Sequence, residues 1–122
     1  MMNTPKYLLQ NVEKYPNEPA ISIKDSSGNW QTKTWNDFYN SVMAISKSLI
    51  ASGINKNDKV SIYSYNRLEW NICYLASQMI NSVAVGVYHT CSSNEVNWIV
   101  GNSDSKIVFL GNNPNDNNEE EK

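Results

Sequence analysis

The 122-residue chain carries a formal net charge of -2, with 40% apolar and only 18% charged residues. That length bounds it to one domain, which buries roughly two thirds of its unfolded surface if it folds alone, and the composition is globular rather than disordered. Lys and Arg are scattered without forming a stripe, which excludes nucleic acid and anionic membrane surfaces as partners recognised by charge.

The start, Met1-Met2-Asn3-Thr4-Pro5-Lys6, lacks the basic and apolar regions of a secretory leader. No apolar run approaches the roughly 20 residues needed to span a bilayer. Thr4 is expected to cap a first helix with Pro5 at its first position, where a missing N–H costs nothing. Leu8, Leu9, Val12 and Tyr15 form its apolar stripe and Pro16 ends it. Ala20–Lys24 and Trp30–Thr34 read as the arms of a hairpin around the turn Asp25-Ser26-Ser27-Gly28-Asn29.

Thr34 followed by Asp37 fits the looser capping box, and Trp35, Phe38, Tyr39, Val42, Ile45, Leu49 and Ile50 recur at helical spacing. Gly53 is placed to end that helix in a left-handed conformation. Asn55–Asp58 turns into a strand over Lys59–Tyr65. Asn66 with Glu69 forms a second capping pattern for a helix reaching about Ile80. Its main stripe is Leu68, Ile72, Leu75 and Met79, with Trp70, Tyr74 and Ile80 on other faces. The continuous apolar run Val83–Tyr88 fits a parallel strand covered on both faces. Ser92 with Glu95 caps a short helix through Val96, Ile99 and Val100, and Lys106–Leu110 is the next strand. Positions 59–110 thus specify an α/β fold: an N-terminal helix and hairpin followed by a βαβαβ parallel-sheet unit. An ordered domain is expected over 1–111. The Asn/Glu-rich stretch 112–122, including Glu119-Glu120-Glu121, reads as a disordered, solvated tail and a poor metal site.

Parallel α/β sheets place ligands beyond the carboxyl ends of their strands. Here those ends are Tyr65-Asn66-Arg67, Tyr88–Ser92 and Gly111 onward. His89 and Cys91 invite a thiol-nucleophile reading. The alternative is a loop that packs and caps the next helix, and neither an orienting residue nor an oxyanion donor can be named for the catalytic one. Arg67 is set against the helix dipole, so it pairs with Glu69 or Asp58 or points into a cleft. Cys73 and Cys91 lack metal-ligand spacing and read as thiols of a reduced, intracellular chain, with a disulfide as the alternative. No dinucleotide fingerprint, P-loop consensus, zinc spacing or nucleophile elbow is present. No catalytic, cofactor-binding or metal-ligating residue is therefore assigned.

Several segments, in order, resemble the amino-terminal part of the acyl-activating, adenylate-forming (AMP-binding) superfamily. Pro16-Asn17-Glu18-Pro19-Ala20-Ile21 resembles its Pro-x-x-x-Ala opening strand, and Thr34-Trp35-Asn36-Asp37-Phe38 its Thr-Tyr-x-Glu-Leu helix start. Gly53–Val60 is similar to its Gly-Val-x-x-Gly-Asp-x-Val turn, and Asn66-Arg67-Leu68-Glu69-Trp70 to an Asn-x-x-Glu-Trp pattern of its fatty acyl-CoA synthetases. Val85-Gly86-Val87-Tyr88-His89-Thr90-Cys91-Ser92 resembles long-chain acyl-CoA synthetases, including the bubblegum-type branch. Ser103-Asp104-Ser105-Lys106 resembles the approach to the next strand. Two positions depart: Asn81-Ser82 stands for a usual Gly pair and Asn57 for the Gly of Gly-Asp, and Asn tolerates the left-handed backbone those turns need.

The resemblance implies, for a complete member, ATP, Mg2+ and CoA, and a reaction in which a fatty acid is joined to CoA through an acyl-adenylate. The phosphate-binding loop and C-terminal lid of such a member would fall beyond Lys122. The expectation is therefore a truncated long-chain fatty acid–CoA ligase, inactive alone and holding no cofactor itself. It is expected in the cytoplasm, with peripheral attachment to the endoplasmic reticulum or another membrane as the resemblance allows. The alternatives are a non-catalytic module meeting a protein partner through an exposed sheet edge, and a free-standing small-ligand binder.

Overall fold

The computed structural model describes residues 3–111; the tail expected over 112–122 lies outside them. Helix α1 spans Thr4–Lys14 and is capped by Asn3, whose side chain accepts a hydrogen bond from the Lys6 amide at 3.1 Å. Thr4, expected as the cap, is instead the first helical residue. Asn3 holds the extended backbone a cap requires and caps at least as well as Thr. Leu8 is buried and Val12 half-buried, one turn apart on the same face, whereas Leu9 and Tyr15 are 42% and 51% exposed and fall outside the covered stripe.

Strands β1 (Pro19–Lys24) and β2 (Trp30–Thr34) form the expected antiparallel hairpin. One Asp25 oxygen accepts from the Ser27 and Asn29 amides at 2.9 and 3.0 Å and the other from Gln31 Nε2 at 3.0 Å, while Gly28 takes φ +83°. These bonds, that from Gln31 foremost, hold the Asp25 carboxyl below the usual carboxylate range. The capping box then opens α2 (Trp35–Ala51): the Asp37 amide donates to Thr34 Oγ1, and the Thr34 amide to Asp37 Oδ2. Gly53 comes just after the helix at φ +89°. Ile50, counted in the apolar stripe, is 60% exposed.

The remaining strands β3 (Lys59–Tyr63), β4 (Val83–Val87) and β5 (Ile107–Leu110) make a parallel sheet in the order β4-β3-β5. Helix α3 (Leu68–Met79) joins β3 to β4, and α4 (Ser93–Asn102) joins β4 to β5. The two connections run across the sheet in opposite directions, so right-handed crossovers put α3 and α4 on opposite faces. On the α3 face, Leu8, Phe38, Val42, Leu49, Val60 and Ala76 form one core. Ser46 lets α2 and α3 approach closely, its hydroxyl bonding to the carbonyls of Val42 (2.8 Å) and Ala76 (3.2 Å). On the α4 face, Ser61 Oγ lies 2.5 Å from Ser105 Oγ, which meets Ser103 Oγ at 2.8 Å; α4 buries no residue.

Burial corrects the expectation for the second strand of this sheet. The central strand is β3, with Val60, Ser61 and Ile62 all at 1% exposure or less, whereas β4 is an edge and its Val83 is 44% exposed. An apolar run marks burial on a face but does not say which strand is central. The expected departures of the turns are met: Asn57 and Asn81 adopt φ +69° and +59°. They also meet each other, with the Asn57 amide donating to the Asn81 carbonyl at 2.9 Å. Beside them Asp58 accepts from the Asn55 amide (2.7 Å) and pairs with Lys106 (3.1 Å). These partners, the Asn55 amide first, hold its carboxyl below the ordinary range.

Candidate cleft at the carboxyl edge

Because α3 leaves β3 on one face and α4 leaves β4 on the other, the loops after these neighbouring strands diverge. Such a switch point opens a crevice outside the strand ends. The structure has a cleft of about 620 Å³ there. The turn after β3 contributes Ser64 and Asn66, α3 contributes Trp70 and Asn71, and β4 with the loop after it contributes Gly86–His89. Tyr88 stands at the rim, 80% exposed.

Of the residues singled out from sequence, His89 lines the cleft, but its ring stacks on Tyr65, centroids 4.3 Å apart, and not on the Cys91 thiol. Cys91 is half-buried outside the cleft, where its carbonyl accepts from the Tyr63 hydroxyl at 3.4 Å. The packing-loop alternative therefore fits the geometry and the thiol–imidazole pair does not. Both cysteines are free thiols. Burial, reinforced by the Glu69 charge, pushes the Cys73 thiol up and away from thiolate chemistry.

Asn66 does not cap α3. Arg67 is the cap residue, without a side-chain capping bond, and its Nε pairs with Glu69 Oε2 at 2.9 Å. That partner, rather than Asp58, resolves the two pairings expected for Arg67, and it holds the Glu69 carboxyl low. On the other side of β3 lies a smaller crevice of about 210 Å³, bordered by Cys73, Phe109 and Gly111 and by the Arg67–Glu69 pair, so the expectation that Arg67 faces a cleft is met together with its pairing. Gly111 donates its amide to the Tyr63 carbonyl at 2.9 Å. A Cβ there would collide with the Ser64 hydroxyl and lie 2.6 Å from its Cβ, so a glycine is required at this strand exit.

Ser64, Trp70, Asn71, Gly86 and Val87 line the cleft without being singled out by the strand-end reading of the sequence. Gly86 had a signal, since a glycine inside a branched apolar strand marks an open or closely approached surface. Trp70 and Tyr74, four residues apart on a helix, had another. Among the described residues no group of three or more His, Cys, Asp or Glu is arranged to hold a metal, and no helix is long and apolar enough to cross a membrane. Among the described residues no carboxylate, ammonium or guanidinium lines the larger cleft. A triphosphate's charge calls for cationic donors beside amides and hydroxyls, and Ser64, Asn66 and Asn71 supply only the neutral ones, so this lining alone does not fit one.

The fold and its switch-point cleft define an α/β domain of the kind found at the amino-terminal side of adenylate-forming enzymes. The inhibitor-bound crystal structure of the N-terminal domain of FACL13 from Mycobacterium tuberculosis superposes with a TM-score of 0.81 at 25% identity, covering 91% of this chain and 27% of that one. The Klebsiella oxytoca NpsA N-terminal subdomain, at 18% identity and a TM-score of 0.78, shares the fold over 90% of this chain and 28% of its own. In sequence, long chain acyl-CoA synthetase 4 of Arabidopsis thaliana is 31% identical over 104 residues, and the long-chain-fatty-acid–CoA ligase ACSBG2 of Rattus norvegicus 24% over 111. The matches take in 82% and 91% of this chain and 16% of each relative's length. The AMP-binding enzyme profile matches residues 8–122, and the chain belongs to that family.

Proposed function

We propose that residues 3–111 form the opening scaffold of a long-chain fatty acid–CoA ligase domain and that the 122-residue chain alone carries out no ligation. The observation that carries this reading is the pairing of a family match across residues 8–122 with a larger cleft whose described lining holds no cationic side chain. The relatives' reaction is ATP-driven formation of a thioester between a long-chain acid and CoA, for which a complete member uses ATP, Mg2+ and CoA. Charge develops on phosphoryl oxygens in such chemistry, and losing even one donor to it costs on the order of 10²–10³ in rate. The role of these residues is positional: β3 and β4 set the sheet, and the close approach of Ser64 to Gly111 fixes the path of the chain as it leaves β5. A cytoplasmic setting, at most at a membrane surface, goes with this reading and is supported by two free thiols.

The test is incubation of the purified chain with ATP, CoA and palmitate. Palmitoyl-CoA no higher than in the protein-free blank is expected; sustained formation overturns the scaffold reading.

A second reading, a non-catalytic module that docks on a full-length synthetase or another protein, is favoured by one observation. Among the described residues both β4 and β5 have an unpaired outer edge, and Trp98 on α4 and Leu110 on β5 are 67% and 73% exposed. Light scattering decides it: a monodisperse monomer at high concentration, with no co-purifying partner, contradicts docking.

A further inference from the structure

Two walls of the switch-point cleft are aromatic, and each is stacked on a second ring. Trp70 stacks on Tyr74 with centroids 5.4 Å apart and planes 17° from parallel, and the Tyr74 hydroxyl accepts from Gln78 Nε2 at 3.0 Å. His89 stacks on Tyr65 at 4.3 Å and 29°. Trp70 and His89 line the cleft, and their stacking partners Tyr74 and Tyr65 are not among the residues that line it. A ring already held in place loses little freedom when a ligand lies against it, so its contact area converts to affinity efficiently.

Gly86 lines the same cleft beside Trp70. A Cβ built there would sit 3.7 Å from Trp70 Cζ2, an ordinary contact, so packing does not demand glycine. Its missing side chain instead leaves the floor of the cleft open. Ser64, Asn66 and Asn71 supply hydroxyl and amide groups able to meet one polar edge of a ligand. The volume, about 620 Å³, is in the range of small-molecule sites. Among the described residues the lining has no carboxylate, ammonium or guanidinium to select a charged ligand.

We infer that this cleft binds an uncharged planar aromatic or heteroaromatic ring, seated over Gly86 against Trp70 and His89. The inference goes beyond the ligase reading, and its test does not involve thioester formation.

Acridone, a neutral planar fluorophore with one carbonyl and one N–H, is a suitable probe. It would be titrated into the isotope-labelled full chain, with fluorescence and amide correlation spectra recorded together. The expected result is saturable binding that shifts the Trp70 indole N–H and the Gly86 and His89 amides, and that ADP does not displace. Gly86→Val, which fills the floor, weakens binding by at least about tenfold. Gly101→Ala, on α4 with open space around it, leaves binding unchanged. Absence of saturation, shifts confined to other surfaces, displacement by ADP, or unchanged affinity in a folded Gly86→Val chain overturns the proposal. If that variant does not fold, the shift map of the unsubstituted chain decides alone.

Discussion

The two faces of the β4-β3-β5 sheet share their strands and differ in what covers them. On one, α2 and α3 interlock through Ser46, and Val42, Leu49, Val60 and Ala76 are at 2% exposure or less. On the other, α4 fully buries no residue, only half-burying Val96, Ile99 and Val100, and hydroxyl contacts run along this face: Ser61, Ser103 and Ser105, with Tyr63 reaching the Cys91 carbonyl. The difference teaches that a right-handed crossover decides where a helix lies, while a complete core needs a second layer packed over it. Only the α3 face has that layer within the described residues.

Deleting equivalent bulk on the two faces tests this contrast most strongly. Leu49→Ala removes a fully packed side chain and is expected to cost about 2–5 kcal/mol in urea unfolding. Ile99→Ala on α4, where the residue is only half-buried, is expected to cost less than about 1 kcal/mol. Similar losses would mean that both faces are equally covered.

The strand starts, which serve both faces, should respond next. Asn81→Val forces a β-branched residue to φ +59° and is expected to destabilise by roughly 1–2 kcal/mol. Asn81→Gly should be tolerated, which separates backbone strain from loss of the Asn side chain.

The two capping boxes offer a matched pair. Thr34→Ala should lower global stability by about 1 kcal/mol, because α2 belongs to the covered face. Ser92→Ala breaks the same motif on α4 and should raise local amide exchange there, with less change in the unfolding midpoint.

The smallest expected effect is a pH dependence at Asp58. Its folded carboxyl titrates below the unfolded value, so its contribution is complete above the unfolded range, near ~4, and is lost as pH falls through the lower folded value. Asp58→Asn should therefore be less stable than the parent at neutral pH, and the gap should narrow on acidification. Urea midpoints at neutral and acid pH measure it.

What was legible in the sequence was local. Thr34/Asp37 and Ser92/Glu95 announce caps because both partners lie within one helical turn, and Asn57 and Asn81 announce left-handed turns because few residues tolerate them. The carboxyl edge was legible as the place to look, since βαβαβ connectivity dictates it. Strand order was not: the apolar run 83–88 reads as a strand covered on both faces, yet pairing between distant strands made it an edge with Val83 exposed. The choices of Asn3 over Thr4 and Arg67 over Asn66 as cap residues also escaped, each shifting a helix start by one residue. The aromatic walls were hidden because Trp70 and His89 are nineteen positions apart and come to one cleft only through β3–β4 pairing.

Residue-resolved hydrogen exchange on the full chain tests the central contrast most directly. The account predicts the slowest exchange at Val60–Ile62 and within α2 and α3, with α4 amides opening at least about a hundredfold more readily. Equal protection in α4 and α2 would contradict it.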